Sequence, residues 1–417
     1  MEFYHGVRFA EVDGGGRPIS VPRSSIVGLA IIPDFGETAP ECSSVIKPGI
    51  YLFTNSSAVN EQFDIENAEI SNDAKQVLSE QILEPLNAIY KQTETTVILN
   101  IINPAPETGT VLGSPSSKTG LWAFLNAQPT YDVVPKILAI VDHRKNATED
   151  INTELVSLAE YLKAVAIIEP LFQYDANSVY QEYSLQDFVS YRDNFGSERA
   201  YFVANHAVKD TGDERGKIPV AISPYVAGVL SKTDIQEGFW VSPSNHDILG
   251  ISEVWYKHDY LVGNPSSDCN YLNENDITAI RKSDGFRIWG NHSLASDPKW
   301  KFLCVRRTFD VVSDALLYSM QWAVDKGINV NFAEWILIRI NEFLRNLQAQ
   351  GAILGGYAYL DPELNNPNEL QQGRIYFDFK ITPVYPAEDI IFRGDITDLY
   401  LKTMVDTIAQ SFKEIEE

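Results

Sequence analysis

The chain has 417 residues, 44% of them hydrophobic, and carries 57 acidic against 33 basic side chains, a formal net charge of −24. That length exceeds what one core organises and implies two to four domains. So acidic a balance excludes a general binder of phosphate backbones, whose affinity rests on Lys and Arg.

Three widely spaced cysteines (Cys42, Cys269, Cys304) with no CxxC pair argue for reduced thiols and against a disulfide framework or structural zinc. The N-terminal MEFYHGVRFAEV has no basic stretch leading into an apolar core, and no run of eighteen apolar residues follows anywhere. The expectation is a soluble protein made in the cytoplasm, without membrane insertion.

Residues 1–23 alternate like a strand, with Val7, Phe9 and Glu11 on one side and Arg8, Ala10 and Val12 on the other. The hinge Asp13-Gly14-Gly15-Gly16 and the extended Arg17-Pro18-Ile19 follow. A strand isolated behind three glycines has too little apolar surface to stand alone and predicts pairing with a sheet edge, of its own chain or another. Residues 25–32 are a continuous apolar run, read as a buried strand. Residues 46–53 read as a loop and short strand. Helical spacing of Leu78, Ile82, Leu86 and Ile89 predicts a helix over 73–90, interrupted at Pro85. Strands are expected at 96–102, 136–141 and 164–168, with helices around 122–125 and 153–163. This alternation predicts an open α/β sheet built from βαβ units. A further helix at 188–194, a strand at 200–204, a small-residue helix at 223–234 and the turn-rich Gly238-Phe239-Trp240-Val241-Ser242-Pro243 continue it.

Residues 281–350 differ in charge. They hold ten Lys/Arg and seven Asp/Glu, a local balance of +3 in a chain at −24, and this block is the place to meet an acidic surface. Gly285-Phe286-Arg287-Ile288-Trp289-Gly290 reads as an aromatic strand bounded by glycines, where the backbone turns sharply or meets another chain closely. Phe309, Val312, Leu316, Ser319, Met320 and Ala323 recur at helical steps, leaving Asp310 and Asp314 to face outward. A second helix follows Asn329-Val330-Asn331, buries Phe332, Ile336, Ile340, Phe343 and Leu347, and ends at Gly351. Residues 354–360, 374–381 and 390–396 are strand-like. The closing helix, 397–417, places Leu401, Met404, Val405, Ile408 and Phe412 on one side.

Chemistry-bearing motifs are weak. Gly113-Ser114-Pro115-Ser116-Ser117-Lys118-Thr119 approaches a phosphate-binding loop but lacks the glycine before the lysine. Asp13-Gly14-Gly15-Gly16 follows no hydrophobic strand and reads as a hinge. The six histidines form no i,i+4 pair, and no GxSxG elbow occurs. Asp142-His143 and His258-Asp259 are adjacent pairs read as surface polar contacts. No catalytic, metal or cofactor residue is expected.

Several stretches resemble the tail sheath proteins of contractile-tailed phages and R-type bacteriocins. They are Tyr4-His5-Gly6-Val7-Arg8 with Arg17-Pro18-Ile19, Thr119-Gly120-Leu121-Trp122-Ala123-Phe124-Leu125, the helix from Val226 to Asp234, and Gly238 to Asn245. The strongest is Gly285 to Gly290 with Trp300-Lys301-Phe302 and Val305-Arg306-Arg307. Tyr385-Pro386-Ala387-Glu388-Asp389-Ile390 and Tyr400-Leu401 complete the set. They lie in family order over nearly the whole chain. One departure is Asn291-His292-Ser293 after the strand, where the family favours an arginine and threonine.

The resemblance implies a homo-oligomer of stacked six-membered rings around an inner tube protein, which a baseplate triggers to contract and a terminator protein caps. Such a particle is a virion tail or a bacteriocin-like device assembled in the host cytoplasm, with no direct nucleic-acid contact. It implies a mixed α/β, multi-domain fold whose core domain joins N- and C-terminal segments around an inserted α/β domain, with extended arms. The expected boundaries are 1–23 for the N-terminal arm, 24–110 for the first part of the α/β region, 111–280 for the middle domain, 281–396 for the C-terminal core and 397–417 for the C-terminal arm. Inter-subunit linkage is expected from Val7, Phe9, Glu11, Gly14, Gly15, Gly16, Ile390 and Phe392. Tube-facing candidates are Lys299, Lys301, Arg306, Arg307, Arg339 and Arg345. Two other readings are a cytosolic α/β enzyme with scattered catalytic groups and a non-contractile tail or capsid protein.

Overall fold

The computed structural model describes residues 19–35, 41–103, 111–144, 151–172, 174, 180–212 and 214–416, with side chains through Ser411. The continuous apolar runs become β1 (Val27–Ile32), β3 (Val97–Ile101), β4 (Ile137–Asp142), β5 (Val165–Ile168) and β6 (Ala200–Phe202), with β2 (Gly49–Phe53) at one edge. They form one six-stranded sheet in the order β2-β3-β1-β4-β5-β6. Only β2 runs antiparallel to its neighbour. Because β1 lies between β3 and β4, the sheet draws on residues from both sides of position 111.

The lack of polar alternation in these strands has a direct cause: both faces are covered. Val27, Leu29 and Ile31 pack on one face with Leu78, Ile82, Leu86, Val226 and Leu230. Ala30 and Ile32 pack on the other with Leu121, Phe124, Leu155 and Leu158. The first face is covered by α1, made of Asn72–Leu78, the π-turn Ser79–Leu83 and Glu84–Tyr90, and by a later helix, Ser223–Gln236. The second is covered by α2 (Ile151–Leu162) and the 3₁₀ turn Gly120–Asn126, where an ordinary helix was expected. Taking Ser223–Gln236 as α3, the two helices on the first face approach closely. A Cβ at Gly228 would stand 2.8 Å from the Ile89 carbonyl oxygen, which is why a glycine occupies this small-residue helix.

The expected break at Pro85 is resolved by the π-turn just before it, with proline in the first turn of the next helical segment. Proline cannot donate to the carbonyl four residues back, and that carbonyl, on Gln81, accepts from His143 Nε2 at 3.0 Å. His143 thus makes a half-buried polar contact with the α1 backbone, and loss of solvent around the ring depresses its pKa to about 4.

Beyond the sheet lie the hairpin β7 (Ala207–Asp210) with β8 (Lys217–Val220), and a three-stranded sheet of β9 (Asp247–Ile248), β10 (Ala279–Lys282) and β11 (Phe286–Trp289) in the order β10-β11-β9. Gly290, at φ +153°, closes β11 where a Cβ would meet Thr278 at 2.7 Å.

The chain then forms α4 (Leu303–Ser319) and α5 (Val330–Ala349), and the antiparallel pair β12 (Ile353–Tyr359) and β13 (Asp378–Pro383). Asn329 caps α5 by accepting from Phe332 N at 2.9 Å, and Gly351, at φ +80°, ends it. A separate core of Val312, Ala315, Ile336, Ile340, Phe343, Leu347 and Ile353 holds these elements, with Ile19 packed against it. Ser20 N donates to Ser319 Oγ, so the described start of the chain lies against the last turn of α4.

This compact unit ends at Tyr385, and a second begins at Pro386. The second has no ladder through 390–396, where a strand was expected, and ends in α6 (Leu399–Glu416). Alternating apolar residues form a strand only against a partner backbone, and among the described residues none pairs with them.

Candidate assembly surfaces

Helix α4 carries four charged side chains, Arg306, Arg307, Asp310 and Asp314, and all four are buried. Asp310 and Asp314, expected on an outer face, are buried. Asp310 accepts from Arg199 at 2.5 Å and from Arg306, one turn before it. Arg306 also reaches Glu198 at 2.9 Å. Asp314 pairs with Lys136 at 2.7 Å, and Arg307 forks onto Asp234, with one arm at 2.6 Å. Lys136, Arg199 and Asp234 sit just before β4, just before β6 and in the last turn of α3, so α4 crosses the N-terminal end of the parallel sheet. Arg306 and Arg307 are therefore corrected from tube-facing candidates to buried partners of acidic groups inside the subunit. Unpaired, each would strand a charge in the interior at a cost of about 3–5 kcal/mol.

The other basic candidates stay near the surface but do not form one patch. Lys299 is exposed in the turn Pro298–Trp300, its Nζ 5.0 Å from the Trp300 ring. Lys301 pairs with Asp276 at 3.0 Å. Burial pushes the Asp276 carboxyl up, but His292 and Lys301 outweigh it and bring its pKa down to about 2. On α5, Arg339 pairs with Glu342 at 3.0 Å while Arg345 is exposed. Six residues apart on an α-helix, these two point about 120° away from each other.

Where α/β folds place ligands, beyond the carboxyl ends of the strands, a cavity of about 250 Å³ is lined by Glu80, Glu84, Asp142, Lys209 and Arg215. Its charges are matched to one another. Lys209 meets Glu84 at 2.7 Å and Glu80 at 3.3 Å, Arg215 meets Glu80 at 3.2 Å, and Arg144 meets Asp142 at 2.7 Å. Burial raises the pKa of Glu80, yet Arg215, Gln76 and Lys209 hold it at about 2. Cations and carboxylates so paired stiffen the site. Among the described residues no group of three His, Cys, Asp or Glu could hold a metal ion, and no helix is long and apolar enough to cross a membrane.

The C-terminal sheet is the contrasting surface. It has two strands, and at the outer edge of β12 the Asn341 side chain of α5 donates to Ala358 O at 3.2 Å and accepts from Ala358 N at 3.0 Å. A side-chain amide thus takes the place of a third strand on that side. The outer edge of β13 is open among the described residues. Ile390 and Phe392 belong to the second unit, where Phe392 is 92% exposed. Val7, Phe9, Glu11, Gly14, Gly15 and Gly16 lie outside the described residues.

Residues 295–397 match the family model of the phage tail sheath C-terminal domain. The chain is 32% identical over 415 residues to a putative prophage major tail sheath protein of Pseudomonas aeruginosa (strain UCBPP-PA14), covering 97% of this chain and 100% of the relative. It is 27% identical over 412 residues to the tail sheath protein of Escherichia phage P2, covering 98% and 99%. Its fold is similar to the sheath of an extracellular contractile injection system, PVC, in the contracted state (TM-score 0.66, 18% identity, 96% of this chain and 99% of that one). It is equally similar to the contracted helical sheath of the anti-feeding prophage (TM-score 0.65, 18% identity, 95% and 99%).

Proposed function

Because the chain belongs to the tail sheath protein family, we propose that it is the structural subunit of a contractile tail. In this reading it stacks as six-membered rings around an inner tube, stores energy in subunit contacts during assembly, and contracts on a baseplate signal to drive the tube through a cell envelope. We assign it no catalytic step. Its partners are further copies of itself, the tube protein, the baseplate and a terminator.

One observation carries this reading: the C-terminal sheet has an open β13 edge in the same chain that holds an unpaired, exposed apolar segment at 390–396. Strand addition between copies satisfies both. Val7, Phe9 and Glu11, hinged at Gly14-Gly15-Gly16, supply one added strand, and Ile390 with Phe392 another. Each ladder bond contributes about 0.5–1.5 kcal/mol net, so a few per arm hold neighbours while the domains turn. The tube is gripped through the exposed Lys299 and Arg345, joined by Lys301 and Arg339 where they exchange Asp276 and Glu342 for carboxylates of the tube. Exposed pairs are worth about 0–1 kcal/mol each, weak enough to release as the sheath widens.

Negative-stain microscopy of the purified protein tests the assembly. Hollow striated tubes are expected, and deletion of residues 1–13 should leave folded subunits that no longer polymerise. Full-length tubes from the deletion variant would overturn the arm's role, and compact particles from the parent would overturn the sheath reading itself.

A further inference from the structure

Two apolar surfaces of this chain lie exposed. The first is on α6, where Leu401, Met404, Val405 and Ile408 follow the i, i+3, i+4, i+7 spacing of a single stripe and are all exposed. The second is a groove of about 1350 Å³ in the first unit, between α4, α5 and the approach to β13. Leu316, Met320, Val324, Phe332, Ile336 and Phe377 are among its lining residues. At its rim, Leu317 and Val324 stand in solvent.

We infer that this groove receives α6 of a second copy, a helix-in-groove contact separate from the strand ladder. The inference rests on the sheath reading above. Three features select this occupant. An exposed apolar stripe on an 18-residue helix, about 27 Å long, calls for an apolar seat. The groove's lining holds three cations, Lys163, Lys326 and Arg374, to one carboxylate, Asp325, with Lys163 and Arg374 also meeting Asp314 and Glu369, whereas residues 413–417 carry three Glu and one Lys, so the net charges are opposite. Continuity supplies the third. A strand laid antiparallel along the open edge of β13 ends beside Asp378, next to Phe377 and Phe379 of the groove. Two residues, Thr397 and Asp398, then lead into α6. A neighbour's residues 390–396 on that edge deliver their helix to the groove.

The test is a mixed assembly of two full-length chains, one carrying only Val324→Cys and the other only Met404→Cys, oxidised after tubes form. The native cysteines are buried, which keeps background low. Expected is a disulfide dimer of one chain of each kind, absent from either chain alone, with Leu317→Cys against Ile408→Cys as a second pair. In a single chain carrying both Val324→Cys and Met404→Cys, a covalent ladder supports the inference. A cross-link confined to monomers means the chain's own helix fills the groove, and overturns it. Striated tubes with no cross-link from either pair overturn the helix seat while leaving the sheath reading intact. Parent protein that forms no tubes removes both. Independently, Met404→Asp with Val405→Asp should lower sedimentable tubes about tenfold or more, since charges cannot enter an apolar seat unpaired. Undiminished tubes from that variant would overturn the inference.

Discussion

The six-stranded sheet and the two-stranded sheet were made by the same chain under different rules. In the first, every strand from β3 to β6 is covered on both faces, and charges at its N-terminal end are matched by α4. In the second, one edge is occupied by Asn341 and the other is open among the described residues, and residues 387–411, in the unit that follows, keep their apolar side chains in solvent. A protein that needs no partner buries such groups itself. The contrast separates what this chain completes alone from what it leaves for other copies.

Substitutions in the closed region should damage the fold. The largest effect is expected from Asp310→Ala, which leaves Arg199 and Arg306 buried without their shared carboxylate, at a cost of about 3–5 kcal/mol in urea unfolding. An unchanged midpoint would mean that the α4 seam is hydrated and loose. Gly228→Val comes next. Its side chain would press on the Ile89 backbone, and about 1–3 kcal/mol should be lost. If stability is retained, α1 and α3 have room to separate.

Acid should act on the closed region in two steps. His143 has a depressed folded pKa, so the stability it contributes is complete above its ordinary 6.5 and fades as pH falls toward 4. Asp276 and Glu80, also depressed, contribute fully above about 4.5 and lose that contribution as pH falls toward 2, about 1–2 kcal/mol each after solvent screening. Unfolding curves collected from pH 7 to pH 3 would check this, and His143→Gln should flatten the upper step.

The smallest effect on the fold belongs to the open region. Ile390→Asp with Phe392→Asp should shift stability by no more than about 0.5 kcal/mol, because both side chains already face water, yet the variant should fail to form tubes. Unfolding of this variant as a monomer would erase the distinction between the two regions.

The closed region was legible in the sequence because burial on both faces leaves a plain mark. The runs at 25–32, 96–102 and 136–141 became β1, β3 and β4 within two residues at either end. The α5 boundaries followed from Asn329 and Gly351 for the same reason, since caps are local chemistry. Arg306, Arg307, Asp310 and Asp314 were misread because a helix with charges on one side looks solvated, and nothing nearby in sequence discloses partners 73 to 178 residues away. Their i, i+4 pattern of opposite charge was the available clue. Residues 390–396 were misread differently: their alternation is that of a strand, but the chain alone offers it no ladder. The short β7, β8, β9 and β10 passed unnoticed because each mixes charged with apolar residues and lacks the apolar run that marks the equally short β5 and β6.

The Asn341 amide has a consequence for growth. With β12 plugged at Ala358 and β13 open among the described residues, the C-terminal sheet favours docking on one side over a symmetric pairing of two β12 edges. In the proposed assembly each copy gives strands at one place and takes them at another. Contacts of that kind do not close on themselves in pairs; they repeat in one direction, and a filament built from them has a head and a tail.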